Sequence, residues 1–315
     1  MATLSVPPNL RSPRDDAMEL YKAFKGFGCD SAAIISILAH RDATQRSLIQ
    51  QEYKTMYAED LTKRLKSELT GKFEDAMLLW MLDGPGRDAS VVWTALHSDS
   101  IDHYCVTDVI CSRTPSQIYI FKQQYHARFG TYIENDIKQV IFGDHGKLLL
   151  AYASTPRHEG PEVHFQEAEN DAKMLYKAGE KRMGTDEDAF IRVFSQRSAA
   201  HLVAVAAAYK KAYGSTLKKA IKKETSGLFE QALLTILKCA ENPPKYFAKV
   251  LYKAMKGFGT DDSTLIRTIV TRTEIDMHYI KAQYLNKYKK TLSQAVYSDT
   301  SGNYRAFLLE LIGPN

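Results

Sequence analysis

One eight-residue phrase recurs four times in this chain and ends each time on an arginine. It reads Ile34-x-x-Ile37-Leu38-Ala39-His40-Arg41, Val106-x-Asp108-Val109-Ile110-Cys111-Ser112-Arg113, Phe190-Ile191-Arg192-Val193-Phe194-Ser195-Gln196-Arg197 and Leu265-Ile266-Arg267-Thr268-Ile269-Val270-Thr271-Arg272. The arginines lie 72, 84 and 75 residues apart, the spacing of a repeat array. After each comes a polar stretch and then an apolar-periodic segment bearing a tyrosine: Tyr53, Tyr125, Tyr209 and Tyr284. Three units close on related phrases, Leu69-Thr70-Gly71-Lys72-Phe73-Glu74, Thr225-Ser226-Gly227-Leu228-Phe229-Glu230 and Thr300-Ser301-Gly302-Asn303-Tyr304-Arg305. Such a chain folds as one supersecondary unit made four times.

The period inside a unit is helical. Ala17, Leu20, Tyr21 and Phe24 recur at three and four. A glycine loop follows, then a second helix capped by Asp30 or Ser31 and carrying Ile34, Ile35, Ile37 and Leu38. Thr44 is expected to cap a third helix with Leu48, Tyr53 and Tyr57; Leu61, Leu65 and Leu69 mark a fourth; Phe73–Leu82 forms a fifth. Asp83-Gly84-Pro85-Gly86 is expected to end the unit. The fold class is therefore all-α, four repeats of five helices. The expected organisation is an extended arm over 1–14, repeats at 15–86 and 87–158, a linker with the third repeat over 159–242, and a fourth at 243–315. Pro156–Gln166 accounts for the longer middle separation, so the repeats are expected to join two and two across it.

A formal charge of +5 suits an anionic membrane surface and is too small to argue for nucleic acid, and no Lys/Arg run occurs. The four cysteines lie far apart, with no zinc spacing. No apolar run approaches bilayer length; Leu202–Tyr209 is short and alanine-rich. The first residues lack a basic stretch ahead of an apolar one, so a cytoplasmic, thiol-reducing location is expected, with membranes reached only from their surface.

The loops carry the chemistry. Lys25-Gly26-Phe27-Gly28-Cys29-Asp30 and Lys256-Gly257-Phe258-Gly259-Thr260-Asp261 are two copies of one phrase, and Lys181-Arg182-Met183-Gly184-Thr185-Asp186 is a damaged third. Forty residues past the second glycine stands an acid: Glu68, Glu224 and Asp299. Glycines at positive φ let carbonyls turn toward one point. Convergent carbonyls with one carboxylate suit a hard cation such as Ca²⁺, which takes roughly six to eight oxygens. The expected donors are the carbonyls of Phe24, Gly26 and Gly28 with the Glu68 carboxylate, and of Met255, Gly257 and Gly259 with Asp299. One formal charge per site implies weak binding unless an outside phosphate oxygen completes it, which links calcium to anionic lipid. Phe27, Phe258 and Met183, at loop tips, suit a headgroup boundary better than water, and Lys25 and Lys256 add attraction to acidic lipids. A lone Gly-x-Gly is usually a helix C-cap; the repeated acid at a fixed offset argues against that here. No phosphate-binding GxGxxG or GxxxxGK[ST] follows a strand pattern.

These residues resemble the annexin family, in particular plant annexins, over essentially the whole chain from Asp15 to Ile312. The resemblance implies a slightly curved disc of four five-helix repeats with calcium loops on its convex face. It implies type II calcium sites at Phe24, Gly26, Gly28 and Glu68 and at Met255, Gly257, Gly259 and Asp299. It also implies calcium-dependent binding of acidic phospholipid membranes, peripheral and from the cytoplasm. F-actin and self-association on membranes are further partners that the resemblance brings into view. Departures grade the copies. Cys29 replaces a threonine in the first loop; Ala95-Leu96-His97-Ser98-Asp99 in the second repeat has no glycine; Arg182 stands where the third loop's first glycine belongs.

Weaker signals are set beside simpler ones. Cys111 and Cys239 match positions of a redox sulfur cluster suggested for some plant annexins, though buried cysteine is ordinarily apolar filler. His40 lies where haem-peroxidase chemistry has been suggested, and Asp299-Thr300-Ser301-Gly302 matches a DxxG piece of a GTP motif without its companion. Ile266-Arg267-Thr268 loosely resembles an actin-binding tripeptide. The four arginines fit carboxylate pairing inside each repeat better than ligand binding. The reading is a non-enzymatic binder, with a peroxidase-like or GTP/ATP-hydrolysing activity on the same scaffold as the alternative.

Overall fold

In each repeat a first and a second helix are held at both ends of the loop that joins them. The computed structural model describes residues 1–26 and 28–314, and among these every regular element is a helix. The first repeat comprises α1 (Pro13–Ala23), α2 (Ser31–Leu38), α3 (Ala43–Tyr57), α4 (Leu61–Glu68) and α5 (Gly71–Trp80). The second has α6 (Gly84–His97), α7 (His103–Ser112), α8 (Pro115–Phe129), α9 (Ile133–Val140) and α10 (Gly143–Ser154). The third has α11 (Phe165–Ala178), α12 (Glu187–Gln196), α13 (Ala199–Tyr213), α14 (Leu217–Glu224) and α15 (Gly227–Glu241). The fourth has α16 (Pro243–Ala254), α17 (Asp262–Arg272), α18 (Met277–Tyr288), α19 (Leu292–Asp299) and α20 (Gly302–Ile312).

Two boundaries differ from expectation. Asp42, not Thr44, caps α3: its carboxylate accepts from Gln45 N while the Gln45 side chain accepts from Asp42 N, a reciprocal capping box. Asp83-Gly84-Pro85-Gly86 starts α6 instead of ending a unit, because Asp83 Oδ1 accepts from Gly86 N at 2.8 Å and a proline is tolerated in a first turn. The pairing of repeats differs too. The helices gather into two compact units, Met1–Arg87 with Phe247–Asn315, and Asp88–Tyr246. Repeats one and four thus belong together, and so do two and three. The non-helical stretch between Ser154 and Phe165 lies inside the second unit rather than dividing the chain.

In the first unit, Trp80 donates to the Leu38 carbonyl at 2.8 Å and is flanked by the guanidinium groups of Arg46 and Arg87, 4.0 and 4.2 Å from its ring. Glu274 of the fourth repeat bonds both arginines, tying the repeats through charge over an aromatic face. The N-terminal arm is fastened as well: Thr3 N donates to Thr273 O at 2.9 Å, and Thr3 Oγ1 to Leu311 O at 2.8 Å. In the second unit, α7 packs on α15 and α10 on α12 around Val106, Ile110, Phe121, Phe190, Phe194 and Leu233.

The arginine register is structural. Arg41 makes a two-point pair with Asp16 of α1 at 2.6 and 2.8 Å, and Arg113 does the same with Asp88 of α6. Arg197 meets Asp171 of α11 at 2.7 and 3.0 Å, with His201 also on Asp171. In the fourth repeat Phe247 takes the aspartate's place; Arg272 lies 4.3 Å over its ring and pairs with Asp276 instead. Stacked rings add a second tie between first and third helices, Tyr21 on Tyr57 at 3.8 Å, Tyr176 on Tyr213 at 3.9 Å and Tyr252 on Tyr288 at 3.9 Å. In the second repeat Trp93 on Phe129 replaces the tyrosines.

Burial grades what it costs to break these pairs. Asp16→Ala strands the Arg41 charge, whose side chain is 7% exposed, and should cost about 3–5 kcal/mol in chemical denaturation. Asp171→Ala should cost only about 1–2 kcal/mol, because Arg197 is 33% exposed and can be rehydrated. In the second unit, burial and then the neighbouring His103 lower the His145 pKa to about 4. Below its ordinary value of about 6.5 the unfolded chain takes up this proton and the folded one does not. Stability from this group is therefore complete above about pH 6.5 and lost progressively toward pH 4. His145→Gln should remove about 2–3 kcal/mol of that fall, read as the difference between the two pH–stability curves.

Candidate functional site

The candidate site of each repeat lies where the loop between its first and second helices meets the end of its fourth. The frame is the same four times over. An aspartate caps the second helix, its carboxylate accepting from the backbone N–H three residues on: Asp30 from Ala33, Asp102 from Cys105, Asp186 from Ala189, Asp261 from Thr264. Its own N–H donates back to a carbonyl of the first helix: Asp30 to Ala23, Asp102 to Ala95, Asp186 to Ala178, Asp261 to Ala254, at 2.8–3.0 Å. These bonds fix where each loop leaves and returns. The acid expected at the forty-residue offset is the last residue of the fourth helix in three repeats, Glu68, Glu224 and Asp299; α9 ends on Val140 instead.

A cross-loop bond brings that helix end to the loop. Thr260 Oγ1 donates to the Asp299 backbone carbonyl at 3.1 Å and its carboxylate at 2.6 Å, and Thr185 Oγ1 to the Glu224 carbonyl at 2.7 Å. Cys29 takes the same position with its sulfur 3.8 Å from the Glu68 carbonyl. The threonine-to-cysteine change thus weakens a strut without abolishing it.

The loops themselves are graded by glycine. Gly26 and Gly28 have φ of 112° and 81°, and Gly257 and Gly259 of 117° and 89°, with open space where a Cβ would stand. Side-chain-bearing residues rarely adopt that region. In the third loop only Gly184 does, at 76°, and Arg182 is not among the residues with positive φ. The chain there follows another path: Lys181 N bonds Tyr176 O, whereas Lys25 and Lys256 bond the carbonyls of Lys22 and Lys253. Arg182 instead lies 3.8 Å from Asp186. In the second repeat Ser98 Oγ donates to Ser100 O at 2.5 Å, closing a short polar loop without glycine.

One feature of the first site was not foreseen from sequence. Arg64, one helical turn before Glu68 on α4, points its Nη2 at the site, 3.0 Å from the Phe24 carbonyl oxygen and 2.7 Å from Glu68 Oε1. A single positively charged nitrogen therefore touches two of the oxygens expected to hold a cation, so those oxygens face one point. That meets the donor chemistry of a hard divalent ion. Among the described residues no group of three or more His, Cys, Asp or Glu side chains is placed to hold a metal ion. Glu68 also lines a recess of about 370 Å³ with Ser31, Thr70, Lys72, Ser301 and Asn303, a polar opening beside the loop.

The expected membrane-contact residues fall as follows. Phe258 and Met183 are fully exposed at their loop tips. Lys25 and Lys256 are exposed and lie over the rings of Tyr21 and Tyr252, at 4.7 and 5.7 Å. Phe27 lies outside the described residues. Among the described residues no helix is long and apolar enough to cross a membrane.

The chain matches the annexin family model at residues 15–80, 87–152, 170–236 and 246–311. It is 51% identical over 315 residues to annexin D5 of Arabidopsis thaliana, covering the whole of both chains. Among solved structures, annexin III superposes with a TM-score of 0.97 at 35% identity, over 100% of this chain and 97% of that one. A calcium-bound annexin (Sm)1 superposes with a TM-score of 0.86 at 30% identity, over 100% and 93%. Four matched repeats and a full-length plant relative place this protein in the annexin family.

Proposed function

We propose that this annexin binds acidic phospholipid surfaces in a calcium-dependent way, through the loops of its first and fourth repeats. The observation that carries the proposal is the convergence of the Phe24 carbonyl and the Glu68 carboxylate on one cationic nitrogen. It is supported by the paired positive-φ glycines which, among the described residues, mark those two loops. Phe24, Gly26, Gly28 and Glu68 would hold one ion, and Met255, Gly257, Gly259 and Asp299 the other. The bound ion supplies a Lewis-acidic positive charge that a lipid phosphate oxygen can share. The protein's part is to hold the carbonyls and the carboxylate in place, and to present Phe258 to the headgroup boundary and Lys25 and Lys256 to anionic lipid. Because each site has one carboxylate, lipid and calcium strengthen each other by linkage. Membership of the annexin family supports peripheral membrane binding, and the calcium-bound annexin (Sm)1 supports the metal.

The enzymatic alternative fares less well at its own residues. Burial pushes the Cys111 thiol well above its ordinary range, with Cys239 adding to the shift and Arg157 opposing it, so the reactive thiolate is disfavoured. His40 has both ring nitrogens engaged, Nδ1 donating to Ser5 O at 2.9 Å and Nε2 lying 3.3 Å from Glu310. Asp299 is tied to Thr260. Ile266, Arg267 and Thr268, the actin-like tripeptide, are buried in α17.

Sedimentation with phosphatidylserine vesicles tests the proposal: the protein should pellet in calcium and release on chelation. Glu68→Ala with Asp299→Ala should abolish the calcium dependence, and retention of it would refute the site assignment. Gly257→Ala forces a side chain into a φ that costs about 1–2 kcal/mol, so the fourth loop should rearrange. Its calcium response should fall at least as far as that of Asp299→Ala. Phe258→Ser should weaken vesicle binding about fivefold to tenfold at saturating calcium.

A further inference from the structure

We propose that Arg64 is a tethered competitor for the first calcium site, a built-in cation that must leave before the metal can enter. The proposal rests on the calcium sites assigned above and adds a reason for the first to be weaker than the fourth. Arg64 Nη2 bonds the Phe24 carbonyl and the Glu68 carboxylate together, at 3.0 and 2.7 Å. Its Nη1 lies 3.8 Å from Glu59, and the guanidinium carbon stands 5.6 Å from the Phe24 ring. A nitrogen within hydrogen-bond distance of two intended ligands leaves no room for an ion bonded to both. It also places a positive charge where a second one would be repelled.

The register shows that this is peculiar to one repeat. The residue one turn before the acid is Ala220 in α14 and Ala295 in α19, both buried and too short to reach the site. In the fourth repeat the neutral Thr260 hydroxyl holds the carboxylate instead, so no cation has to be displaced. Arg64 is not held permanently. Its side chain is 32% exposed, and its buried Nε has no hydrogen-bond partner among the described residues. The group can therefore swing into water and surrender two contacts while recovering solvation of an unpaired donor.

The consequence is a conformational tax: the first site's apparent affinity is its intrinsic affinity scaled by the fraction of molecules with Arg64 swung away. The fourth site, without that tax, should fill first as calcium rises. Arg64 is thus a positioning residue. It holds the carbonyl and the carboxylate together when the metal is absent and sets the threshold at which the first loop responds.

The test uses the full-length chain without lipid, in an Asp299→Ala background that leaves the first site as the reporter. The readout is the rise in Tm across a titration with calcium alone, which yields an apparent Kd. Arg64→Ala should tighten that Kd about threefold to tenfold, with a lower Tm in the absence of calcium. Arg64→Gln, which keeps an unbranched stem and an N–H donor but removes the charge, should also tighten it and covers the case in which the alanine variant folds poorly. An unchanged or weaker Kd in both variants would overturn the proposal while leaving the site assignment intact. Glu68→Gln in the same background separates the two ideas. It should abolish the calcium-dependent rise, and a persisting rise would overturn the first site itself and the Arg64 proposal with it.

Discussion

The arginine–aspartate pair between second and first helices is the interaction on which the loops depend. It joins the end of the second helix to the first turns of the first, so the segment between them has a fixed span and a fixed exit in repeats one to three. Two charges taken from water are tolerable only when each satisfies the other, which two-point geometry at 2.6–3.0 Å achieves. The fourth repeat shows that geometry rather than ionic identity is needed. There Phe247 supplies a ring under Arg272 and Asp276 supplies the carboxylate from four residues on. With the frame secured, the aspartate cap of the second helix returns its N–H to the first helix even where the loop has lost every glycine.

That separation of frame from loop explains how one scaffold carries four loops of unlike build. Stability resides in the pairs, the aromatic stacks and the packed helices, so loop residues can change without unfolding the repeat. Ser98–Asp102 closes on itself, Arg182 diverts the third loop, and the first and fourth keep their glycines. The two loops with paired positive-φ glycines thereby fall in the unit formed by the two ends of the chain.

Much of this was legible in the sequence because periodicity records burial. The apolar spacing gave the helices, and the arginine register gave the repeats. Arg41, Arg113 and Arg197 do pair within their own repeats as their positions at helix ends suggested. What failed was local chemistry with near-equal options. Thr44 and Asp42 are both cap residues, and only the reciprocal bond with Gln45 decides for Asp42. Pairing of repeats also failed, because a proline-rich stretch in sequence says nothing about which surfaces meet. Arg64 was invisible for another reason. A lysine or arginine on an amphipathic helix ordinarily faces water, and only the one-turn offset from Glu68 marked it.

The first and fourth sites therefore solve one problem in different ways. A carboxylate aimed at its loop is an unbalanced charge, and under the proposed calcium binding it needs another partner whenever the metal is absent. In the fourth repeat a hydroxyl donates to it, which steadies the oxygen but leaves its charge available to an arriving cation. In the first repeat cysteine replaces that hydroxyl; its sulfur meets the Glu68 backbone carbonyl at 3.8 Å and the Ser31 hydroxyl at 3.7 Å, so steadying the carboxylate falls to Arg64. A charged partner is the stronger one, and for that reason the more costly to displace. The exchange of threonine for cysteine in the loop and of alanine for arginine on the fourth helix are thus two halves of one physical difference between the sites.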